Sequence, residues 1–309
     1  MKSISVVTPC YNEDENVAQL YQEVKEVFAG LAGYRYEHIF IDNASGDKTV
    51  SVLKEIAAKD KNVKIIVNAR NFGHIRSPFY GLIQAGGDAV VLLAADLQDP
   101  PALINDFIGK WEAGYKIAIA VKKQSDESPI LFTIRKLYYN IINRLSDTEL
   151  IKNFSGYGLY DKKVIDILKG IDDPYPYFRG IICEIGFEKA LIYFNQPVRK
   201  RGITKNNFYT LYDMAMLGVT SYSRIPLRLA TMLGFLLSIF SLLVAMIYLI
   251  YKVIFWDTFF VGMAPLVIGL FFFASVQLFF IGIVGEYIGA VLTQALKRPL
   301  VIEKERVNF

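Results

Sequence analysis

Apolar residues recur along roughly the first 121 positions in two alternating rhythms. Short runs such as "ISVVTP", "YEHIFI", "VKIIVNA", "AVVLLA" and "KIAIAV" predict strands, and the unalternating ones among them predict strands covered on both faces. Between them Val17, Leu20, Val24, Val27 and Phe28, then Val50, Leu53 and Ile56, repeat at helical spacing and predict amphipathic helices. Further helices are expected over 77–85, closed by Gly86 and Gly87, and over 101–113. This β/α alternation implies a mostly parallel sheet with helices on both faces, an α/β architecture whose ligands bind beyond the carboxyl ends of the strands. Those ends carry polar residues: Tyr11-Asn12-Glu13, Asp42-Asn43, Asn68 to Asn71 and Asp96 to Asp99.

Past this region the rhythm weakens. A basic amphipathic helix is expected over 134–145, then the segment "NFSGYGLYD", a helix over 177–185 and an edge strand "KALIYF". Phe208, Leu211, Tyr212, Ala215 and Val219 lie at helical spacing, and we read this stretch as an interfacial helix on a membrane, with an ordinary packing helix as the alternative. The runs 227–254 and 263–284 are apolar enough, and long enough, to span a hydrocarbon core that needs about 20 residues. A buried hairpin of a soluble domain is the alternative, but core helices of that length seldom lack charge so completely. The expected organisation is a globular domain over 1–202, a juxtamembrane helix over 203–226, two transmembrane helices with a short external loop over 227–292, and a tail over 293–309.

Charge orients this arrangement. Arg224 and Arg228 precede the first span and Lys297, Arg298, Lys304 and Arg306 follow the second, whereas the connector "YKVIFWDTFFVGM" has one Lys and one Asp. The positive-inside bias places both ends in the cytoplasm, making this a multi-pass plasma-membrane protein, and no signal-peptide pattern precedes the first strand. The 309 residues are 53% hydrophobic with a formal net charge of +4, which suits anionic headgroups or phosphate ligands and shows no nucleic-acid stripe. Cys10 and Cys183 match no metal or redox spacing and fit a reducing compartment.

Taken in order, "TPCYNEDEN", "FIDNASGDKT", "NARNFG", "ADLQDPP", "RGITK" and the paired C-terminal spans with "GEYIG" resemble family 2 glycosyltransferases of the GT-A fold. The likeness covers nearly the whole chain and is strongest to the polyprenyl-phosphate branch, which includes bactoprenol glucosyltransferases and dolichol-phosphate mannose synthases. The resemblance implies that Pro9, Tyr11 and Glu13 border the nucleotide, that Asp42 contacts the base and that Arg70 lies beside it. A uracil imide needs an acceptor and a ribose diol pairs well with a carboxylate, so these residue types suit the role. Glu13 could instead cap the helix that follows, and Asp42 and Asn43 could be turn residues.

Three positions depart from the family's pattern. Relatives carry Asp-Ala-Asp-Leu-Gln, whose acids and Gln surround a divalent ion on the donor pyrophosphate; here the motif is Ala94-Ala95-Asp96-Leu97-Gln98. Asn43 and Ala44 stand where relatives often have an acid and a glycine. Gly156 and Gly158 fall where bactoprenol glucosyltransferases have the acid and arginine of Gly-Asp-Phe-Arg-Leu. A lipid monophosphate has a second pKa near about 6 and is largely ionised at neutral pH, so it needs no general base and tolerates the loss of an acid. Mg²⁺ or Mn²⁺ commonly binds through one or two carboxylates plus substrate phosphates and water, so Asp96 with Gln98 is a sufficient anchor. By resemblance, Lys122, Arg135, Arg201 and Lys205 hold the lipid phosphate, with Arg201 and Lys205 also closing over the pyrophosphate; the alternative for each is attraction to anionic headgroups. His74, where relatives often have Lys, is read as structural or as a weak phosphate contact.

The expected activity is inverting transfer of one sugar from a nucleotide sugar, UDP-linked, to polyprenyl (undecaprenyl) phosphate at the cytoplasmic face, for cell-envelope glycan modification. The resemblance also implies a homo-oligomer, a tetramer. Two rivals remain. One is a decayed transferase that binds nucleotide sugar or lipid, or scaffolds a partner, without turnover. The other is a processive synthase, which lacks support because no Gln-x-x-Arg-Trp segment occurs and two spans are too few to line a channel.

Overall fold

A computed structural model describes residues 1–123, 151–197, 216–221, 223, 225–255 and 263–309. The first strands and helices follow the expected order: β1 (Lys2–Cys10), α1 (Val17–Ala29), β2 (Tyr34–Asp42), α2 (Thr49–Lys59), β3 (Val63–Asn68), α3 (Gly73–Gln84), β4 (Ala89–Leu92), α4 (Leu103–Glu112) and β5 (Ile117–Lys122). Then come β6 (Phe154–Asp161), α5 (Lys162–Lys169), α6 (Phe178–Glu184), β7 (Lys189–Phe194), α7 (Ile225–Ile254), α8 (Met263–Ala295) and β8 (Glu303–Val307). The basic helix expected over 134–145 lies outside the described residues.

All eight strands form one sheet in the order β7-β5-β6-β4-β1-β2-β3-β8. The strands β4, β1, β2 and β3 run parallel, while β6 and β8 are antiparallel to their neighbours. From β1 the chain winds outward through β2 to β3, then returns to lay β4 on the other side of β1. The carboxyl ends of β1 and β4 therefore flank a topological switch point, where crevices open in such sheets. Alternate residues supply a core on each face. Val17, Leu20, Leu53, Ile104, Phe107 and Trp111 bring α1, α2 and α4 to one side. Phe79, Leu82, Val164, Leu168, Ile181 and Ile182 bring α3, α5 and α6 to the other. The approach of α3 is close enough to require Gly81, because a Cβ there would stand 2.8 Å from the Val7 side chain.

Two expectations are corrected. Helix α3 begins at Gly73 rather than at 77, so Pro78 lies inside it instead of near its start. The segment set apart as a tail contains β8, which pairs antiparallel with β3 and closes that edge of the sheet. Asn308 Nδ2 donates to the carbonyls of Ala57 and Val63, both at 2.8 Å, and the Ala69 amide donates to Ile302 at 2.8 Å. The end of α8 is held to the domain by a Lys297–Asp172 ion pair at 2.9 Å and by Gln294 donating to Asp173 at 2.7 Å.

Helices α7 and α8 are long and apolar enough to cross a membrane, with stretches of 30 and 28 residues that meet the test of length and hydropathy. Neither candidate span is buried within the protein, as a core hairpin would be. Of the interfacial stretch, residues 216–221 are described and helical, and Leu217 and Val219 pack on Tyr177 and Cys183. This part of the stretch thus packs on the globular domain. Cys10 and Cys183 are both buried and form no disulfide.

Candidate active site

The switch point gathers most of the polar strand ends. At the end of β2, Asp42 is fully buried and accepts hydrogen bonds from Ser45 N at 2.9 Å and Ser45 Oγ at 2.5 Å. Burial raises its carboxyl above the usual range, and the Ser45 bonds oppose that rise. Beyond β1, Asn12 sits at φ 54° and its Oδ1 accepts from Gly46 N at 2.8 Å, tying the two strand ends together. The Glu13 amide donates to Thr49 Oγ1 at 2.9 Å, and its carboxylate accepts from Asn16 Nδ2 at 2.6 Å. Asn16 makes no side-chain cap bond to α1, so this contact orders the loop rather than capping the helix.

Asn43 accounts for its own departure from the family. Its Oδ1 accepts from Phe72 N at 2.8 Å and Asn68 Nδ2 at 3.2 Å, while its Nδ2 donates to Asn71 Oδ1 at 2.8 Å and to the Gly73 carbonyl at 3.2 Å. An ionised acid could make the first two bonds but not the last two. The amide therefore fixes the loop carrying Arg70, whose guanidinium stacks over Phe72 at 4.1 Å.

On the β4 side, Asp96 Oδ1 accepts from Gln98 N at 3.2 Å, and Leu97 adopts φ 57° in the turn between them. Asp99 follows, 5% exposed, with no hydrogen-bond partner for Oδ1. Burial, then the charge of Asp96, push its carboxyl up to about 7, with Lys122 pulling the other way. Tyr157 Oη donates to the Pro100 carbonyl at 2.5 Å and holds this loop against β6. Lys122 ends β5, as expected, close enough to act on Asp99.

A cavity of about 400 Å³ opens beside the loop, lined by Pro9, Ala94, Asp99, Gly156, Tyr157 and Arg179 among others, with His74 in its wall. Gly156 lies at φ 103°, a conformation that an acid there would adopt only under strain. A Cβ at Gly158 would stand 2.6 Å from the Ala118 carbonyl oxygen, so no side chain fits between β6 and β5. Neither lost side chain could be restored by simple substitution. An arginine of another element lines the cavity instead: Arg179 of α6, which donates to the Phe154 carbonyl at 3.5 Å.

Of the predicted site residues Pro9 lines this cavity, Asp96 and Lys122 lie close enough to Asp99 in its wall to act on it, Asp42, Glu13 and Arg70 lie at the β1–β2–β3 ends, and Tyr11 lies just beyond the end of β1. Arg135, Arg201 and Lys205 lie outside the described residues. Sequence reasoning noted Asp99 without giving it a role and did not single out Arg179. Asp99 was visible as a carboxylate beyond a strand, but its isolation comes from burial against distant β6. Arg179 had no local signal beyond its place in the first turn of a short helix.

Among the described residues no three His, Cys, Asp or Glu side chains cluster as a metal site on their own. Asp96, Gln98 and the unpartnered oxygen of Asp99 are nonetheless hard oxygen donors on one short loop, and they fit a divalent cation completed by a ligand's phosphates.

A mostly parallel sheet with its crevice at this switch point and an acidic loop beyond β4 accords with the GT-A fold of glycosyltransferases. The chain belongs to glycosyl transferase family 2, whose pattern matches residues 5–168. It is 33% identical to a Synechocystis sp. glycosyltransferase over 298 residues, covering 96% of this chain and 93% of that one. It is equally 33% identical to the bactoprenol glucosyl transferase of Shigella phage SfII over 305 residues, 98% of this chain and 97% of the other. Among solved structures, glucosyl-3-phosphoglycerate synthase from Mycobacterium tuberculosis, crystallised with Mn²⁺, UDP and phosphoglyceric acid, has the same fold. It aligns with a TM-score of 0.52 at 18% identity, covering 71% of this chain and 76% of that one.

Proposed function

We propose that this protein transfers a single sugar, with inversion, from a UDP-linked donor to a polyprenyl phosphate at the cytoplasmic membrane face, for cell-envelope glycan modification. The observation that carries the reading is the acidic loop Asp96–Asp99 at the switch point, in a chain resembling a bactoprenol glucosyl transferase along nearly its full length. The bactoprenol named in that relative supports a polyprenyl acceptor. Assembly as a homo-oligomer, a tetramer, is part of the proposal.

In this reading Pro9, Tyr11, Glu13, Asp42 and Arg70 hold the nucleotide, and Lys122, Arg135, Arg201 and Lys205 hold the lipid phosphate. An ionised oxygen of that phosphate attacks the anomeric carbon from the face opposite the leaving group, a carbon–oxygen bond forms there, and the bond to the nucleoside diphosphate breaks. No side chain has to remove a proton from such a nucleophile. A divalent cation bound at Asp96 and Gln98 would neutralise charge on the departing diphosphate. By resemblance, Arg201 and Lys205 would also close over the pyrophosphate. Arg179, which lines the cavity, is a further positive residue beside it.

The return of the chain into the sheet supports the topology. Because β8 follows α8 and pairs with β3, the segment after the second helix lies on the same side as the catalytic domain. Two crossings satisfy that constraint, and the flanking Arg228, Lys297 and Arg298 make the shared side cytoplasmic. A cysteine placed in "WDTFFVG" should then react with an impermeant reagent from outside intact cells, while one placed after Lys304 should not; the reverse pattern would defeat the cytoplasmic-donor scheme. Activity is tested by incubating purified protein with radiolabelled nucleotide sugars and undecaprenyl phosphate and counting the extracted lipid phase. Label in that phase is expected, and silence across a broad panel would favour a decayed, binding-only protein, the reading that Gly156 and Gly158 invite.

A further inference from the structure

We infer that Asp99 supplies the second carboxylate of the divalent-cation site, doing from beyond Gln98 what an acid at the position of Ala94 does in relatives. The inference rests on the reading of Asp96 and Gln98 as cation donors.

Two observations converge on it. Asp99 is buried to 5% exposure with no partner for Oδ1, and a carboxylate oxygen cut off from water and from every donor is costly unless a cation meets it. Asp99 and Ala94 line the same cavity, so carboxylates carried at either position address one space. The site is also built to hold Asp99 in place. The Tyr157 hydroxyl anchors the next residue, Pro100, to β6 at 2.5 Å, and Tyr157 itself is packed edge-on against Phe107 at 5.0 Å. The chain thus keeps two acids and a Gln while tolerating Ala94, and the departure from the family's motif becomes a relocation of a ligand rather than its loss.

The test uses the full chain in detergent and follows free Mn²⁺ by electron paramagnetic resonance, titrated with and without UDP. Wild type should take up Mn²⁺ in the presence of UDP. Asp99→Asn should weaken that uptake by about tenfold to hundredfold, as expected for loss of one ligand group. Adding Ala94→Asp to Asp99→Asn should restore it to within about threefold of wild type. Unchanged circular dichroism and melting temperature separate this from misfolding, and the rescue separates a ligand from a merely structural residue. Uptake by Asp99→Asn within about twofold of wild type would overturn the inference and make Asp99 the counter-ion of Lys122, leaving the transferase reading intact. Lost uptake that Ala94→Asp fails to rescue would overturn it as well. No uptake by wild type with UDP, alongside EDTA-resistant sugar transfer, would remove the cation site itself and Asp99's role with it.

Discussion

The two sides of the switch point treat their buried acids differently. On the β1–β2–β3 side Asp42 takes two bonds from Ser45, and Asn43 uses both its donor and its acceptor to hold the Asn68–Gly73 loop. On the β4–β6 side Asp99 has an oxygen with no partner, Gly156 and Gly158 bring no charged side chain to the cavity wall, and the loop bends through Leu97 at φ 57°. Polar groups already paired are rigid before any ligand arrives, whereas an unpaired buried oxygen waits for one. In the proposed reading the β1–β2–β3 side, which would take the nucleotide, is preorganised, and the transfer side would be completed by cation, diphosphate and lipid phosphate.

The sharpest way to break this comparison is at Asp96. If the transfer side depends on a cation that it cannot hold alone, calorimetry should show weak Mg²⁺ binding to the free protein and clear binding once UDP is present. Asp96→Ala should remove that synergy and lower the transfer rate by about 10²- to 10³-fold, or roughly 2.7 to 4 kcal/mol. Nucleotide binding that ignores EDTA and survives Asp96→Ala would show that the loop is no metal site.

The preorganised side has a liability of its own in acid. His38 on β2 is fully buried, stacked on Phe40 at 4.0 Å and hydrogen-bonded through Nε2 to Thr8 Oγ1 at 2.9 Å, with no partner for Nδ1. Burial lowers its pKa from 6.5 to about 3, with Asp60 pulling the other way. The folded state thus keeps the ring neutral while the unfolded chain protonates it. Its contribution to stability is complete above pH 6.5 and is lost as pH falls toward about 3, at about 1.4 kcal/mol per unit. Denaturant melts should lose about 3 kcal/mol from this group by about pH 4.5, and His38→Gln, which keeps a partner for Thr8, should flatten that slope. An unchanged slope in the variant would assign the acid sensitivity elsewhere.

A smaller effect is expected where the lipid phosphate is proposed to bind. Arg201→Ala or Lys205→Ala each removes a charge-assisted contact of roughly 1.5 to 3 kcal/mol, hence about tenfold to hundredfold in rate. Turnover within about twofold for both variants would reduce these residues to surface attraction for anionic lipid.

What was legible in the sequence follows the same division. Apolar runs and helical spacing announced β1 to β5 and α1, α2 and α4, because each buries a continuous face. Helix α3 starts four residues before the predicted one, because Gly73 enters the helix at φ 86° and tight packing on β1 holds the rest. Strand β8 was missed for a different reason. "EKERV" is a charged edge, and its place is set by pairing with β3 and by Asn308, both more than 200 residues away from their partners in sequence. The acids of the site were readable as residues beyond strand ends. Which of them is paired was not, because pairing depends on Ser45 in one case and on distant β6 in the other.

The smallest predicted effect tests whether the preorganised side is also free of backbone strain. Ala44 sits at φ 61°, a left-handed conformation that costs a residue with a Cβ about 1 to 2 kcal/mol, at a position where the family's pattern has glycine. Ala44→Gly relieves that cost but gives the unfolded chain more freedom, worth about 0.4 to 1 kcal/mol against folding. The balance is a net gain of about 0.5 to 1 kcal/mol, seen as a melting temperature higher by roughly 1 to 3 °C. Asn12, also left-handed at φ 54°, is the control: asparagine visits this region readily, and its Oδ1 holds Gly46 N at 2.8 Å. Asn12→Gly should therefore lose stability while Ala44→Gly gains it. A loss at both positions would mean that the loop carries no strain at Ala44 and that unfolded-state entropy alone decides the sign.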